Sequence, residues 1–389
     1  MAATEVEVAT FDGPGAPARI QSVERPPVPE RAALIEVGAC GVCGTDLHIL
    51  KGHWPKPLPW PFTLGHEVAG LIAEKGPGLE ADYMGKPLEV GAKVMIPPLM
   101  PCGECHYCRH FPAHANKCLN PTYYGRYIPF ARPPHLWGGW AEMVYVDLDM
   151  FPATKIYRLP DDMTCMQGSL SEPLACCIRA LGRARSVGGF GYGDAVVVQG
   201  AGPIAVLMVA AAREMGAGPI VVIGAPEEPR LALCREFSAA ATVCLDDHPT
   251  SEARVGAVRE KLAGLGARFG ADLAIDCAGH PSAGPEGLEM LRDGGTYVEM
   301  GQFTDAGAVA TNWHRICAKD VTIVASWGIT AGDLPLGVDM LHRARERFPW
   351  RRMQTVFPFT REGVQEATRK AMAMECVKAT ILPNPSLAE

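Results

Sequence analysis

The chain has 389 residues, 48% of them hydrophobic and 20% charged, with a formal net charge of −7. That apolar content can offset chain entropy in a packed core, which excludes a disordered protein, and the length exceeds what one core usually organises, so two domains are expected. The acidic balance gives no electrostatic reason to bind nucleic acid or anionic lipid, and neither partner is expected.

From Glu5 to about Asp149, short apolar or β-branched runs at residues 32–37, 68–74, 93–96 and 141–146 alternate with Gly/Pro punctuation. This texture predicts strands joined by loops. After Leu170 the pattern changes to strands at 196–198, 220–223, 272–276, 296–300 and 321–325, alternating with helical stretches up to Met215, at 231–237 and at 286–291. Strand and helix in alternation predict an α/β domain with a doubly wound parallel sheet. Helical stretches at 338–348 and 361–374 and an apolar run at 379–382 follow. The longest apolar run, 195–212, is broken by Gly200, Gly202 and Pro203, so it predicts a strand, a turn and a helix start instead of a membrane span. Met1 to Gly15 has neither a basic n-region nor an apolar h-region, and Leu387-Ala388-Glu389 carries no lipidation or peroxisomal signal; the expected location is cytoplasmic.

Gly200-Ala201-Gly202-Pro203-Ile204-Ala205 follows a predicted strand and opens a predicted helix, the context in which such a match reads as a dinucleotide site. Gly200 would make the tight turn, Gly202 would let backbone approach a pyrophosphate, and Ala205 would let the helix pack on the strand. The acid that would bind the adenosine ribose of NAD at the end of the next strand is missing: Gly224 stands there, followed by Glu227, Glu228 and Arg230. Gly224 leaves room for a 2′-phosphate and Arg230 could pair with it, whereas two glutamates would repel it. NAD is favoured over NADP, with Arg230 as an ordinary helix-face residue the alternative reading.

Fourteen cysteines, clustered in a long chain, point to metal binding rather than disulfides. Cys102, Cys105, Cys108 and Cys118 place four thiolates in one short loop. A closed four-sulfur set predicts a structural zinc; an iron–sulfur cluster would call for a partner cysteine run or a following Cys-Pro. His106, His110 and His114 beside the loop read as solvated surface residues. A second set is dispersed: Cys43 and His48 in residues 41–48, His66 and Glu67 after Gly65, and Glu172 in Ser171-Glu172-Pro173. Mixed sulfur, nitrogen and oxygen donors from separate segments suit a catalytic zinc, which keeps one position open for water or substrate. Taken singly, Cys43 reads as a small buried hydrophobe and His66 as a hydrogen-bonded core residue.

Together with Gly138-Gly139-Trp140-Ala141-Glu142 and Asp276-Cys277-Ala278-Gly279, these segments resemble, in order and approximate spacing, the zinc-dependent medium-chain dehydrogenase/reductase family of alcohol and polyol dehydrogenases. The resemblance covers nearly the whole chain, and Glu172 in place of a cysteine is similar to the sorbitol- and threonine-dehydrogenase branch. It implies a GroES-like β-rich catalytic domain at 1–172 and 327–389, with a zinc lobe at about 97–121, and a Rossmann coenzyme domain at 173–326. It further implies that Cys43 and His66 ligate a catalytic zinc, with Glu67 or Glu172 as the carboxylate, that Asp46 orients His66, and that Thr45 and His48 relay the proton. The implied reaction moves a hydride between a secondary or cyclic alcohol, or its ketone or aldehyde, and a nicotinamide coenzyme. One catalytic and one structural Zn2+ per chain, in a homodimer or homotetramer, complete the expectation. A polyol or amino-alcohol substrate, or a non-catalytic nucleotide-binding protein keeping only the lobe zinc, are the alternatives. Tyr123, Tyr124, Tyr127 and Phe130, with Trp54, Trp60 and Trp137, would line a bulky apolar pocket or pack an enlarged lobe.

Overall fold

The computed structural model describes residues 4–389; residues 1–3, where the first domain range and the reading of the N-terminus begin, lie outside them. The chain divides into two compact units. One contains the chain up to Glu172 with Ile329–His342 and Gln354–Glu389, and the other contains Pro173–Gly328 with Arg343–Met353.

In the first unit the apolar run Ala32–Gly41 is buried on both faces and forms the centre of a seven-stranded sheet. It pairs antiparallel with Glu67–Lys75, Met143–Asp147 and Lys378–Leu382, and the sheet continues through Lys93–Ile96 to Tyr157–Arg158 on one side and to Gln354–Pro358 on the other. Gly41 stands opposite Glu67 on one flank and Thr380 on the other. Three segments far apart in sequence therefore arrive together where the chain leaves the sheet for the helix Gly44–Leu50. Phe62, Tyr124, Trp137 and Trp140 fill the core beside this sheet. The sequence reading does not anticipate the antiparallel pair Glu5–Thr10 and Arg19–Glu24, the second of which has no fully buried residue and so carries little hydrophobic signal.

In the second unit six parallel strands form one sheet: Val196–Gln199, Ile220–Gly224, Ala241–Cys244, Ala271–Asp276, Leu291–Glu299 and Thr322–Ala325. Counted along the chain, they lie in the order third, second, first, fourth, fifth, sixth. That is the Rossmann arrangement, with the strand order reversing at Val196–Gln199. The first two strands are buried throughout, as expected of parallel strands covered on both faces.

One expectation is corrected. The sequence assigns 327–389 as a single return to the first domain, but Arg343–Met353 belongs to the second unit. Phe348 stacks on Phe237 with centroids 5.6 Å apart, and Trp350 meets both rings edge-on. Arg347 and Arg352 add ion pairs to Glu214 and Glu236. The helix expected at 338–348 accordingly runs Leu334–Arg343 and stops where this aromatic segment begins. Among the described residues no helix is long and apolar enough to cross a membrane.

Candidate active site and metal centres

Cys43 is the residue before the helix Gly44–Leu50, and Asp46 sits in that helix's first turn, fully buried. The Cys43 backbone N–H donates to Asp46 Oδ2 at 2.9 Å, and the other carboxylate oxygen lies 3.2 Å from His66 Nδ1. One carboxylate thus fixes the helix start and the imidazole that reaches it from the neighbouring strand. Burial alone would hold His66 neutral, but the charge of Asp46 and the adjoining Cys43 side chain raise its pKa well above the usual histidine range. With Nδ1–H given to Asp46, Nε2 is the ring atom left for a ligand. Thr45 is buried in the same first turn; His48, one turn on, is partly buried. Burial first, then His53 and Lys51, lowers the pKa of His48, which keeps it neutral at pH 7 and able to accept a proton.

Glu67 and Lys378 form an ion pair in which both side chains are almost wholly buried, and Lys378 Nζ also donates to Val42 O at 3.1 Å. Glu67 Oε1 has no hydrogen-bond partner among the described residues. Glu172, in the first turn of the helix Ser171–Ser186, is buried nearby. Its pKa is pushed up to about 7 by burial; His66, Lys378 and Arg126 pull it down and Glu67 pushes it up. Among the described residues, the four lobe cysteines are the one set of three or more Cys, His, Asp or Glu donors lying mutually within 4.8 Å. The Cys43 side chain is in hydrogen-bonding contact with the His66 ring, but neither Glu67 nor Glu172 joins the two in a mutually close donor set. Glu67 is drawn to Lys378 instead. The sequence reading misses Lys378 and Arg126 altogether. The available signal was a lone lysine at the head of the apolar run 378–382 and a lone arginine among tyrosines.

In the lobe, Cys118 Sγ lies 3.4 Å from Cys102 Sγ, and Cys105 Sγ lies 3.5 Å from Cys108 Sγ and 3.8 Å from Cys118 Sγ. Four sulfurs held at about 2.3 Å from a common tetrahedral centre would stand roughly 3.8 Å apart. The backbone N–H groups of Cys102, Cys105 and Leu119 point at Cys118, Cys102 and Cys105 sulfurs respectively. The Leu119 N–H is the first of several donors that lower the Cys105 thiol to about 6, so it gives up its proton readily. His106, His110 and His114 are exposed on the rim.

At the glycine turn, Gly200 adopts φ +111°, a conformation in the left-handed half of the map that glycine tolerates, and Gly202 precedes the helix Pro203–Glu214 with Pro203 in its first turn. Ala205 is fully buried against the sheet, and Ile204 is half-buried. Gly224, at the end of the second strand, is fixed by close approach: a Cβ there would stand 2.7 Å from Ala201 Cβ and 2.8 Å from Ala201 N. Arg230 Nη1 lies 3.7 Å from where a Cβ on Gly202 would be. Glu227 is paired with Arg235 at 2.6 Å.

The aromatic residues divide into two groups. Tyr124 and Trp137 are core, with Tyr124 OH donating to Tyr145 O and Trp137 Nε1 to Arg132 O; Phe130 packs on His135, and Trp60 on Phe62. Trp54, Tyr123 and Tyr127 form a separate cluster, joined by a 3.1 Å hydrogen bond from Trp54 Nε1 to Tyr127 OH and by an edge-on contact of Tyr123 with Tyr127.

A dinucleotide-type parallel sheet, a β-rich unit holding a four-cysteine lobe and a cysteine–histidine pair backed by carboxylates define a zinc-type dehydrogenase. Residues 29–161 match the alcohol dehydrogenase GroES-like domain, and residues 203–343 match the zinc-binding dehydrogenase family. The 5-exo-hydroxycamphor dehydrogenase of Pseudomonas putida is 32% identical over 361 residues, 91% of this chain and 90% of its own length. An alcohol dehydrogenase from Thermotoga maritima superposes with a TM-score of 0.87 at 25% identity, covering 98% of this chain and 100% of that one. A zinc-binding dehydrogenase from Sinorhizobium meliloti 1021, solved bound to NADP, gives a TM-score of 0.81 at 25% identity, with coverage of 98% and 100%. The chain belongs to the zinc-dependent alcohol dehydrogenase family, oxidoreductases that act on CH–OH groups with a nicotinamide coenzyme.

Proposed function

We propose that this chain oxidises a secondary, cyclic alcohol, or reduces the matching ketone, at a zinc held by Cys43, His66 and Glu172, with a second zinc in the four-cysteine lobe. The observation that carries the reading is Asp46 gripping both the Cys43 backbone and the His66 ring, which leaves a sulfur and an Nε2 side by side. A soft thiolate, an imidazole and a carboxylate suit zinc. Of the two carboxylates, Glu67 is committed to Lys378, which favours Glu172 as the third donor. When bound, the ion would supply Lewis acidity toward a substrate hydroxyl and the nicotinamide a hydride acceptor. The chain's own residues do the rest. Asp46 sets the His66 tautomer, Lys378 holds Glu67 in place, and Thr45 and His48, at i and i+3 on one helix, offer a hydroxyl and a neutral imidazole to carry the proton away.

Two observations favour a bulky ring over a small polyol: the Trp54, Tyr123 and Tyr127 cluster, and the relative named for a hydroxycamphor. The sequence favours NAD, and one feature of the structure supports NADP as the second reading. Arg230 Nη1 stands beside the phosphate-binding turn, and Glu227 is paired with Arg235. Among the described residues all fourteen cysteines are free thiols, which supports a reducing, cytoplasmic location. Pairing of copies along the sheet edge at Thr322–Ala325, where Ile323 is 47% exposed, would give the homodimer or homotetramer.

The test is Cys43→Ser assayed against a panel of cyclic, aliphatic and polyol alcohols at the nicotinamide absorbance band. Turnover should fall by about a thousandfold or more while dinucleotide binding, followed by fluorescence, changes little. Unchanged turnover would refute the ligand assignment, and a wild-type preference for polyols would refute the substrate class.

A further inference from the structure

Arg126 is 5% exposed, and its guanidinium has neither a hydrogen bond nor an ion pair among the described residues; its Nε is buried without a partner. What surrounds it is aromatic. The guanidinium carbon lies 4.3 Å from the centroid of the Tyr123 ring and 5.2 Å from that of Trp54. Such contacts recover only part of the hydration a buried cation loses, and arginine at this depth ordinarily faces a carboxylate or a row of carbonyls.

Its position is set by the neighbouring glycine. Gly125 has φ +75°, its N–H donates to Trp137 O at 2.8 Å, and a Cβ on it would meet Gly65 O at 2.7 Å. The segment that carries Arg126 is thereby pressed against the residue preceding His66. Arg126 is also near enough to Glu172 for its charge to act on that carboxylate. A desolvated five-donor fork, walled by two rings and adjoining the proposed metal ligands, is built to receive an acceptor oxygen.

We propose that Arg126 is a specificity residue that binds a second oxygen of the substrate, a carbonyl or carboxylate carried on the ring away from the reacting carbinol. The inference rests on the cyclic-alcohol reading and narrows it: the substrate is a cyclic alcohol with an acceptor group, its apolar body against Trp54 and Tyr123 and its oxygen on the guanidinium. The site should then reject the analogue without that oxygen, because the cation would be left unpaired.

Three ring alcohols matched in size test this: 4-hydroxycyclohexanecarboxylate, its primary amide, and 4-methylcyclohexanol. Wild type should favour the carboxylate or the amide over the methyl compound by about tenfold or more in kcat/KM, and which of the two leads tells an anionic from a neutral acceptor. Arg126→Met should bring that ratio close to one, mainly through KM, and Arg126→Lys should keep part of it. Calorimetric binding of cyclohexanecarboxylate and cyclohexanecarboxamide, which have no carbinol to oxidise, should weaken by a similar factor in Arg126→Met. A wild type indifferent to the second oxygen, or a ratio unchanged in Arg126→Met, overturns the proposal while leaving the dehydrogenase reading intact. If wild type oxidises none of the three, the cyclic-alcohol reading fails, and calorimetry still decides Arg126: binding lost in the variant supports it, and equal or absent binding overturns it. Should Arg126→Met prove unstable in thermal melts, the wild-type ratio and Arg126→Lys decide in its place.

Discussion

Lys378 shows how one buried charge can organise a site. It lies in a strand otherwise buried and largely apolar, donates to Val42 O and pairs with Glu67, the residue after the proposed ligand His66. Removing one partner of such a pair leaves an uncompensated charge, whereas removing both can be nearly neutral. Lys378→Met should therefore destabilise the protein by about 3–5 kcal/mol, and adding Glu67→Leu should recover much of that loss. Urea denaturation of both variants measures it; equal stability of Lys378→Met and wild type would show that the pair carries no weight. At the glycine turn, close contact with Ala201 is by itself sufficient reason for Gly224, apart from any room it leaves for a phosphate. Arg230→Ala should cut NADPH affinity by about tenfold, roughly 1.4 kcal/mol, with NADH affinity nearly unchanged. Fluorescence titration with both coenzymes checks this, and an equal loss for both would remove Arg230 from the 2′-phosphate.

Among the elements, the lobe was the most legible because its candidate donors are local: four cysteines within seventeen residues can meet whatever the rest of the chain does. Cys105→Ser should lower the melting temperature and soluble yield, since closing this loop through a metal contributes to folding. A variant as stable as wild type and with full zinc content would count against a structural site. Helix pairing offers an independent check on the coenzyme unit. Glu286, on the helix Ala283–Met290, takes Arg254 Nε at 3.1 Å and Ser251 Oγ at 2.6 Å from the helix Ser251–Gly264. Burial would raise the Glu286 pKa, but these donors outweigh it and hold the carboxyl below the usual glutamate range. A group whose pKa is lower in the folded state binds more protons unfolded, so its stabilisation is present above the ordinary glutamate pKa and is lost as pH falls through the folded value. Glu286→Gln should flatten the acid side of the melting-temperature profile and leave its slope near neutrality alone. An unchanged acid limb would mean that the pairing does not contribute.

For the whole molecule, periodicity and punctuation carried the sheet architecture: alternating apolar strands and helices imply a doubly wound sheet, and the strand order has the Rossmann reversal at the glycine turn. They could not reveal that Arg343–Met353 crosses to the coenzyme unit, because the packing of Phe348 and Trp350 on Phe237 is a contact between residues more than a hundred positions apart. The same limit applies to the active site. Cys43, His66, Glu67 and Glu172 could be nominated from short motifs, but the partners that sort their roles, Lys378 and Arg126, come from segments with no local signature. The central claim, that a catalytic zinc sits between Cys43 and His66 in addition to the lobe zinc, is tested most directly by elemental analysis of wild type and Cys43→Ser. The expected result is about two zinc ions per chain in active wild type and about one in the variant, with the lobe still loaded. Fully active wild type with a single zinc, or a Cys43→Ser protein that keeps both, would contradict it.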